Sequence, residues 1–378
     1  MARLAVLHNT LDLRGGADAV CAHVCEALQD DHDVTLVTVS RTSLATLNDM
    51  FGTDASVPVL APPAGHQLAG ALSRADDWFG PQLPLRSAFL TRWLRRHAAA
   101  FDLVVSTANE FQLSVPSVQY VHFPQFNAAV PGPDGTHGAS LPNRLWTRVA
   151  DLADRTLPTD ATLVANSQYT AEHVAARYGR TPEVLHPPVD PIPGEPWSAR
   201  ERGVVTVGRI APDNRTLDAV RVVDGARKRG LDLHLHLVGS TVDAYQSYVD
   251  RVERAVAARD YVTLHRDLPR DRLEALLGGH RYGLNPKHGE HFGMALAEYV
   301  AAGMVPFAHD SGGQRDVVDD AADRLYGTVE AAVELLVDAV ERDARPRLSP
   351  DRFAADRFHR QIRGLVRDRL AHTGSPVR

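Results

Sequence analysis

Lysine is nearly missing from this chain of 378 residues: only Lys228 and Lys287 stand among cations that are otherwise arginine. Arginine stays charged and grips phosphate through a bidentate fork, so the shortage does not exclude a phosphate ligand. Cysteine is as scarce, with two residues, Cys21 and Cys25, four positions apart in an expected helix. Helix geometry does not favour a bridge at that spacing, and two cysteines do not make the framework of a stapled secreted domain. They are expected to pack as small hydrophobes. No apolar run reaches transmembrane length and no signal peptide is legible, which leads to the expectation of a cytoplasmic protein, with contact at the membrane face still open. A formal net charge of −6 gives no electrostatic footprint for nucleic acid. Neither G-x-G-x-x-G nor G-x-x-x-x-G-K-[ST] occurs, which disfavours dehydrogenase and P-loop readings.

What is present is an ordinary globular composition, 44% hydrophobic and 23% charged, in a chain long enough for two domains. Strand-like and helix-like segments alternate from Arg3–His8 onward, through Val34–Val39, Leu103–Ser106, Val118–His122 and Ala161–Ala165. Proline crowds the stretch 187–202, PPVDPIPGEPWSARER, and the same alternation then restarts at Gly203–Val207. This pattern predicts an α/β fold of two Rossmann-like domains with parallel sheets and a ligand site in the cleft between them. The expected division is 1–190 and 203–349, with a terminal helix in 350–378 that crosses back to the first domain.

The segment 285–318, NPKHGEHFGMALAEYVAAGMVPFAHDSGGQRDVV, holds the strongest signal. Glu290 precedes an expected helix that begins at Met294 and stops at Gly303; Glu298 lies about one and a half turns inside it. The first turn of a helix presents N–H groups and a positive dipole end, which suit a diphosphate. Carboxylates on either side suit sugar hydroxyls. Val205–Asn214, VTVGRIAPDN, ends a strand in Gly208 and Arg209, where glycine admits close approach and the guanidinium can reach phosphate oxygens. Gly15 and Gly16 in the first strand-to-helix loop offer backbone to a sugar or an acceptor. His122 ends a strand in YVHFP. The stretch 84–100 is cationic and amphipathic, with Leu85, Phe89, Leu90, Trp93 and Leu94 against Arg86, Arg92, Arg95 and Arg96. It reads equally as a membrane-surface helix and as a packed helix with one basic face.

These segments together, with ANSQYT, PPVD and DSGG, resemble the family 4 retaining glycosyltransferases of the GT-B fold, whose E-x7-E element matches Glu290 and Glu298. YVHFP and EHFG…AAG…HDSGG are most similar to the branch of alpha-1,2-mannosyltransferases of lipid-linked oligosaccharide assembly. The resemblance implies transfer of a hexose from a nucleotide-sugar donor, GDP-mannose first and UDP-glucose or UDP-GlcNAc second, to a glycan or lipid-linked acceptor. It implies Glu298 on the ribose, Glu290 on the hexose and His122 facing the transferred sugar. Arg209, with Arg215, Lys287, Gly208 and the helix start at Phe292 and Gly293, would meet the diphosphate. Gly15 and Gly16 would meet the acceptor. The implied chemistry needs no metal and no cofactor besides the donor. One departure stands out: the family's GR-x-x-x-x-K has Asn214 at the lysine position, with Arg215 next. The rival readings are a GT-B epimerase, a phosphorylase or synthase on a small sugar, and a non-catalytic homologue that binds sugar nucleotide or a partner transferase.

Overall fold

The computed structural model describes residues 1–65, 67–72, 83–124, 161–241 and 245–373. The described chain forms two compact units, residues 1–188 with 355–378 and residues 189–354. Each is built on a parallel sheet with helices on both faces, which buries most of its inner strands.

In the first unit the strands are β1 (Arg3–His8), β2 (Asp33–Thr38), β3 (Val59–Leu60), β4 (Leu103–Ser106), β5 (Ser117–Val121), β6 (Ala161–Ala165) and β7 (Glu183–Val184). Their order is 3-2-1-4-5-6-7. Along β1, Leu4 and Val6 join one core and Ala5 and Leu7 the other. The helices that matter below are α1 (Gly16–Leu28), α2 (Leu44–Phe51), α3 (Leu83–His97) and α4 (Gln168–Tyr178). Ser167 caps α4, its hydroxyl accepting from Thr170 N at 3.1 Å.

In the second unit β8 (Glu201–Val207), β9 (His234–Gly239), β10 (Val262–Arg266), β11 (His280–Asn285), β12 (Val305–His309) and β13 (Leu325–Tyr326) take the order 10-9-8-11-12-13. Helices α5 (Thr216–Lys228), α6 (Gln246–Ala257), α7 (Arg270–Gly279), α8 (Met294–Ala301), α9 (Gln314–Val317) and α10 (Val329–Glu341) cover it. Gly303, at φ +65°, ends the α8 turn in the left-handed conformation glycine tolerates. The last helix, α11 (Ala355–Thr373), returns to the first unit. There Phe358, Ile362 and Val366, one turn apart, are fully buried against Leu4, Val6 and Tyr120.

Both orders reverse direction beside their first strand, between β1 and β4 and between β8 and β11. Such switch points leave a crevice at the carboxyl ends of the strands, where α/β sheets bind ligands. The loop with Gly15 and Gly16 follows β1, Gly208 and Arg209 follow β8, and Lys287 to Gly293 follow β11. The topology thus carries the sequence-marked loops to the switch points.

Candidate active site

The β8 end is fixed from below. Tyr299, fully buried on α8, accepts the Val207 N–H through its hydroxyl at 2.7 Å. Gly208 N then donates to Val238 O at 2.9 Å. Arg209 beyond it is half exposed and pairs with Asp213 at 3.2 Å. Asn214, where the family carries lysine, donates its side-chain amide to Arg209 O at 2.8 Å and closes the turn. Arg215 adopts the left-handed φ of +51° at the head of α5, and its Nε donates to Asp218 at 2.6 Å.

The loop after β11 is held by α9 and the residues before it. Gly289 N donates to Ser311 Oγ at 2.8 Å, Gly313 N to Glu290 O at 2.7 Å, and Gln314 Nε2 to Lys287 O at 2.8 Å. A side chain at Gly312 would stand 2.8 Å from Glu290 N, and that residue also has φ +71°, so glycine is required for this approach. His288 and His309 stack at 3.5 Å between centroids. Burial lowers the His288 pKa to about 4, helped by His309 and by the charge of Arg215; burial and Arg215 lower His309 in the same direction.

Around the start of α8, Lys287 Nζ pairs with Glu290 at 3.1 Å. Glu298, one-seventh exposed, is bridged by Arg270 of α7, which also holds Glu274 at 2.7 Å. Arg270 was not singled out in the sequence, where it lies 28 positions before Glu298 on another helix. Gly293 caps α8 at φ +108°. Phe292 is buried edge-on against Phe353 at 5.4 Å, so its ring belongs to the core and only its backbone could serve a ligand.

In the first unit, Asn109 at φ +71° accepts the N–H groups of His122 and Phe123 on one side-chain oxygen, at 2.7 and 3.1 Å. His122 Nε2 donates to Thr107 O at 3.1 Å, which leaves the lone pair of the uncharged ring on Nδ1. Thr107 Oγ1 meets His8 Nδ1 at 2.9 Å, His8 Nε2 meets Asp18 at 2.8 Å, and Asp18 accepts from Gly15 N at 2.9 Å. His8 and Asp18 are both buried. Burial alone would discharge His8; the Cys21 sulfur and the Asp18 carboxylate outweigh it and raise its pKa to about 10. Cys21 and Cys25 are both free and fully buried in the hydrophobic core, as small packed residues. Gly15 commits its N–H inward, and a Cβ on it would meet nothing within 4 Å. Close packing within the unit therefore does not demand glycine at that position.

The reading of 84–100 changes. Arg86 belongs to no basic face: it is fully buried and donates to Thr10 Oγ1 at 3.0 Å, Asp12 Oδ2 at 3.3 Å and Val39 O. Leu90 and Leu94 are buried in the same core, with Phe89 and Trp93 packed on it. The apolar side of α3 is therefore occupied, and the packed-helix reading holds; Arg92, Arg95 and Arg96 remain exposed. Among the described residues no helix is long and apolar enough to cross a membrane. The sequence also spells D-x-D at Asp31–Asp33, but in the turn that enters β2, at the amino end of the strand and away from the switch point.

Comparison with known proteins places the family and the fold. Residues 14–192 match the family model "Glycosyltransferase Family 4" and residues 193–352 match "Glycosyl transferases group 1". Among curated proteins, the GDP-Man:Man(3)GlcNAc(2)-PP-Dol alpha-1,2-mannosyltransferase of Dictyostelium discoideum is 25% identical over 250 residues, 56% of this chain and 49% of that protein. The human protein of the same name is 26% identical over 174 residues, 41% of this chain and 35% of that one. The matches thus span about half the length of these relatives or less. Among solved structures, Anabaena HepE in complex with UDP-glucose superposes with a TM-score of 0.68 at 16% identity, covering 97% of this chain and all of that one. Sucrose-phosphate synthase from Thermosynechococcus elongatus gives 0.70 at 14%, covering 98% and 100%. At these identities the likeness is one of fold.

Proposed function

The chain belongs to family 4 of the glycosyltransferases, with the GT-B fold, and on that premise we propose that it moves a hexose from a nucleotide diphosphate sugar to a hydroxyl of a glycan acceptor with retention of configuration. What supports this most is the arrangement about the start of α8. Two carboxylates flank a helix amino end, and each is held by a cation, Lys287 on Glu290 and Arg270 on Glu298. A donor can exchange into such pairs: ribose hydroxyls onto Glu298, hexose hydroxyls onto Glu290, and phosphate oxygens onto the released cations. Arg209 and Arg215 add charge on the β8 side, and the first-turn N–H groups of α8 complete the diphosphate site. Stabilising the charge that develops on the departing diphosphate is the main catalytic demand of this reaction, and it is electrostatic. His122, oriented by Thr107, is assigned to the transferred sugar, and the loop of Gly15 and Gly16 to the acceptor. Turnover is proposed to need no metal.

GDP-mannose is the donor we favour and a lipid-linked glycan the acceptor, because the curated relatives are GDP-mannose enzymes of dolichol-linked substrates by name. UDP-glucose is the second donor, the ligand bound in the HepE structure. The test is turnover by the purified chain with a chelator present, offered GDP-mannose, UDP-glucose or UDP-GlcNAc and a membrane lipid extract. Release of GDP with a heavier lipid-linked product is the expected result. Failure to bind any donor would favour the non-catalytic homologue, with Asn214 as a lost phosphate cation.

A further inference from the structure

Around the first residues of β9 and β11, away from the loops of the switch point, lies a histidine cluster that the transfer reaction does not use. His234 and His236 alternate along β9 and so share a face. His280 opens β11, and His265 stands on β10. Between β9 and β11 runs β8, where Gly203 is the register partner of His234. A Cβ on Gly203 would overlap His234 Nε2 and lie 2.6 Å from His280 Cδ2. The missing side chain is what lets the two rings meet across the strand.

They meet through nitrogen. His234 Nε2 is 3.0 Å from His280 Nε2, and Glu201 Oε2 is 3.3 Å from the same His234 atom. One ligand nitrogen from each of His234, His236 and His280 falls within a span of 4.8 Å. His280 donates Nδ1–H to Leu276 O at 2.7 Å, so its Nε2 carries the lone pair. His236 Nδ1 lies 2.8 Å from His265 Nε2, which leaves Nε2 of His236 for the common centre. Imidazoles whose outer N–H is held by a carbonyl or another acceptor are characteristic of metal ligands, since that bond sets tautomer and ring direction.

We propose that His234, His236 and His280 form a site for a divalent transition-metal ion of the zinc type, with Glu201 in reach as a fourth ligand and His265 orienting His236. Two nitrogens bound tetrahedrally at the usual zinc distance are about 3.3 Å apart, within a few tenths of an ångström of the His234–His280 separation. Uncharged imidazole suits zinc, copper or nickel and not calcium or magnesium. Burial lowers the pKa of His280 and of His265, and burial with the neighbouring rings lowers His236 to about 3. The ion would tie β8, β9 and β11 together at one end of the sheet. Its role is structural and separate from donor chemistry.

The test uses the untagged full chain after chelator dialysis. Titrated Co2+ is expected to give the visible bands of a tetrahedral site that saturate at one equivalent and vanish when Zn2+ is added. Zinc should also raise the melting temperature. His236→Ala and His280→Ala are expected to weaken binding about a hundredfold or more, and His265→Ala about tenfold. His359→Ala removes a ligand from a separate cluster of His23, Glu26 and His359 and should change nothing. Binding that survives the His236→Ala and His280→Ala changes, or that is lost with His359→Ala, would overturn the proposal. Should those variants fail to fold, X-ray absorption of the zinc-loaded wild type decides: three imidazoles support the site, and two or fewer refute it. No saturable binding refutes it outright.

Discussion

The two switch points are built from similar strands and used differently. In the first unit the polar groups at the strand ends satisfy one another about a buried centre of Thr107, His8 and Asp18, with half-buried His122 at one end and exposed Gly15 at the other. In the second unit the polar groups are charged pairs open to solvent on at least one side, Arg209 with Asp213, Lys287 with Glu290, Arg270 with Glu298. A buried network fixes geometry and is costly to break. Exposed pairs contribute little to stability and can exchange a partner for a ligand. The first switch point is thus a rigid support, and the second is prepared for an incoming anion.

The contrast can be broken most severely at Asp18. Asp18→Ala leaves the buried His8 ring without its carboxylate and is expected to cost about 3–5 kcal/mol. Hydrogen exchange should show lost protection in β1 and β4, with β8 and β11 unchanged. Glu298→Ala should do the reverse. Its kcat/KM is expected to fall about a hundredfold, the scale of hydrogen bonds to a charged group. Stability should stay within about 1 kcal/mol, because Arg270 is nearly half exposed and can turn to water. Asn214→Ala removes one bond to Arg209 O, worth about 1 kcal/mol. The loop should loosen enough to raise the donor KM about fivefold, with kcat little changed, as steady-state kinetics would read.

The mildest test uses acid. His236 and His288 have pKa values lowered to about 3 and about 4, against an ordinary 6.5. The unfolded chain therefore binds more protons than the folded one below pH 6.5, and stability is lost as pH falls from there toward 3. His234, His265, His280 and Glu201 face His236, and His309 and Arg215 face His288. The first unit behaves otherwise. There the raised His8 loses stability as pH climbs from 6.5 to about 10, while Cys21, lowered to about 5 from 9, gains it between those limits. The two oppose each other between about pH 6.5 and 9; below 6.5 the Cys21 contribution goes on falling alone, so both units weaken in mild acid and the second, with two lowered histidines, is expected to weaken more. Scanning calorimetry from pH 7 to 4 would check this, and equal sensitivity in both units would count against the assignment.

Much of this was legible in the sequence, and the reasons for the gaps are physical. Apolar runs marked nearly every inner strand because parallel strands covered on both faces carry no polar alternation. The two-residue strands β3, β7 and β13 are too short to show a period. The helix around Glu298 was readable from its own caps, but Arg270 reaches it from another helix, and such pairing is set by tertiary packing. Arg86 was read as part of a basic face although it lies four and eight positions before Leu90 and Leu94. Helical period places it in their buried stripe, and its charge masks that signal in the sequence. Likewise the HLH at His234–His236 marks one face of a strand by alternation. Its meaning depends on His280 and on the glycine between the strands, which only the sheet order brings together.

The most direct test of the prepared-site claim is calorimetric titration of GDP-mannose, with a chelator present, into the wild-type chain and Glu298→Ala. Saturable binding to the wild type, weakened at least tenfold in the variant while both melt at the same temperature, is the expected result. Equal affinities, or a variant that loses affinity only because it unfolds, would contradict the account.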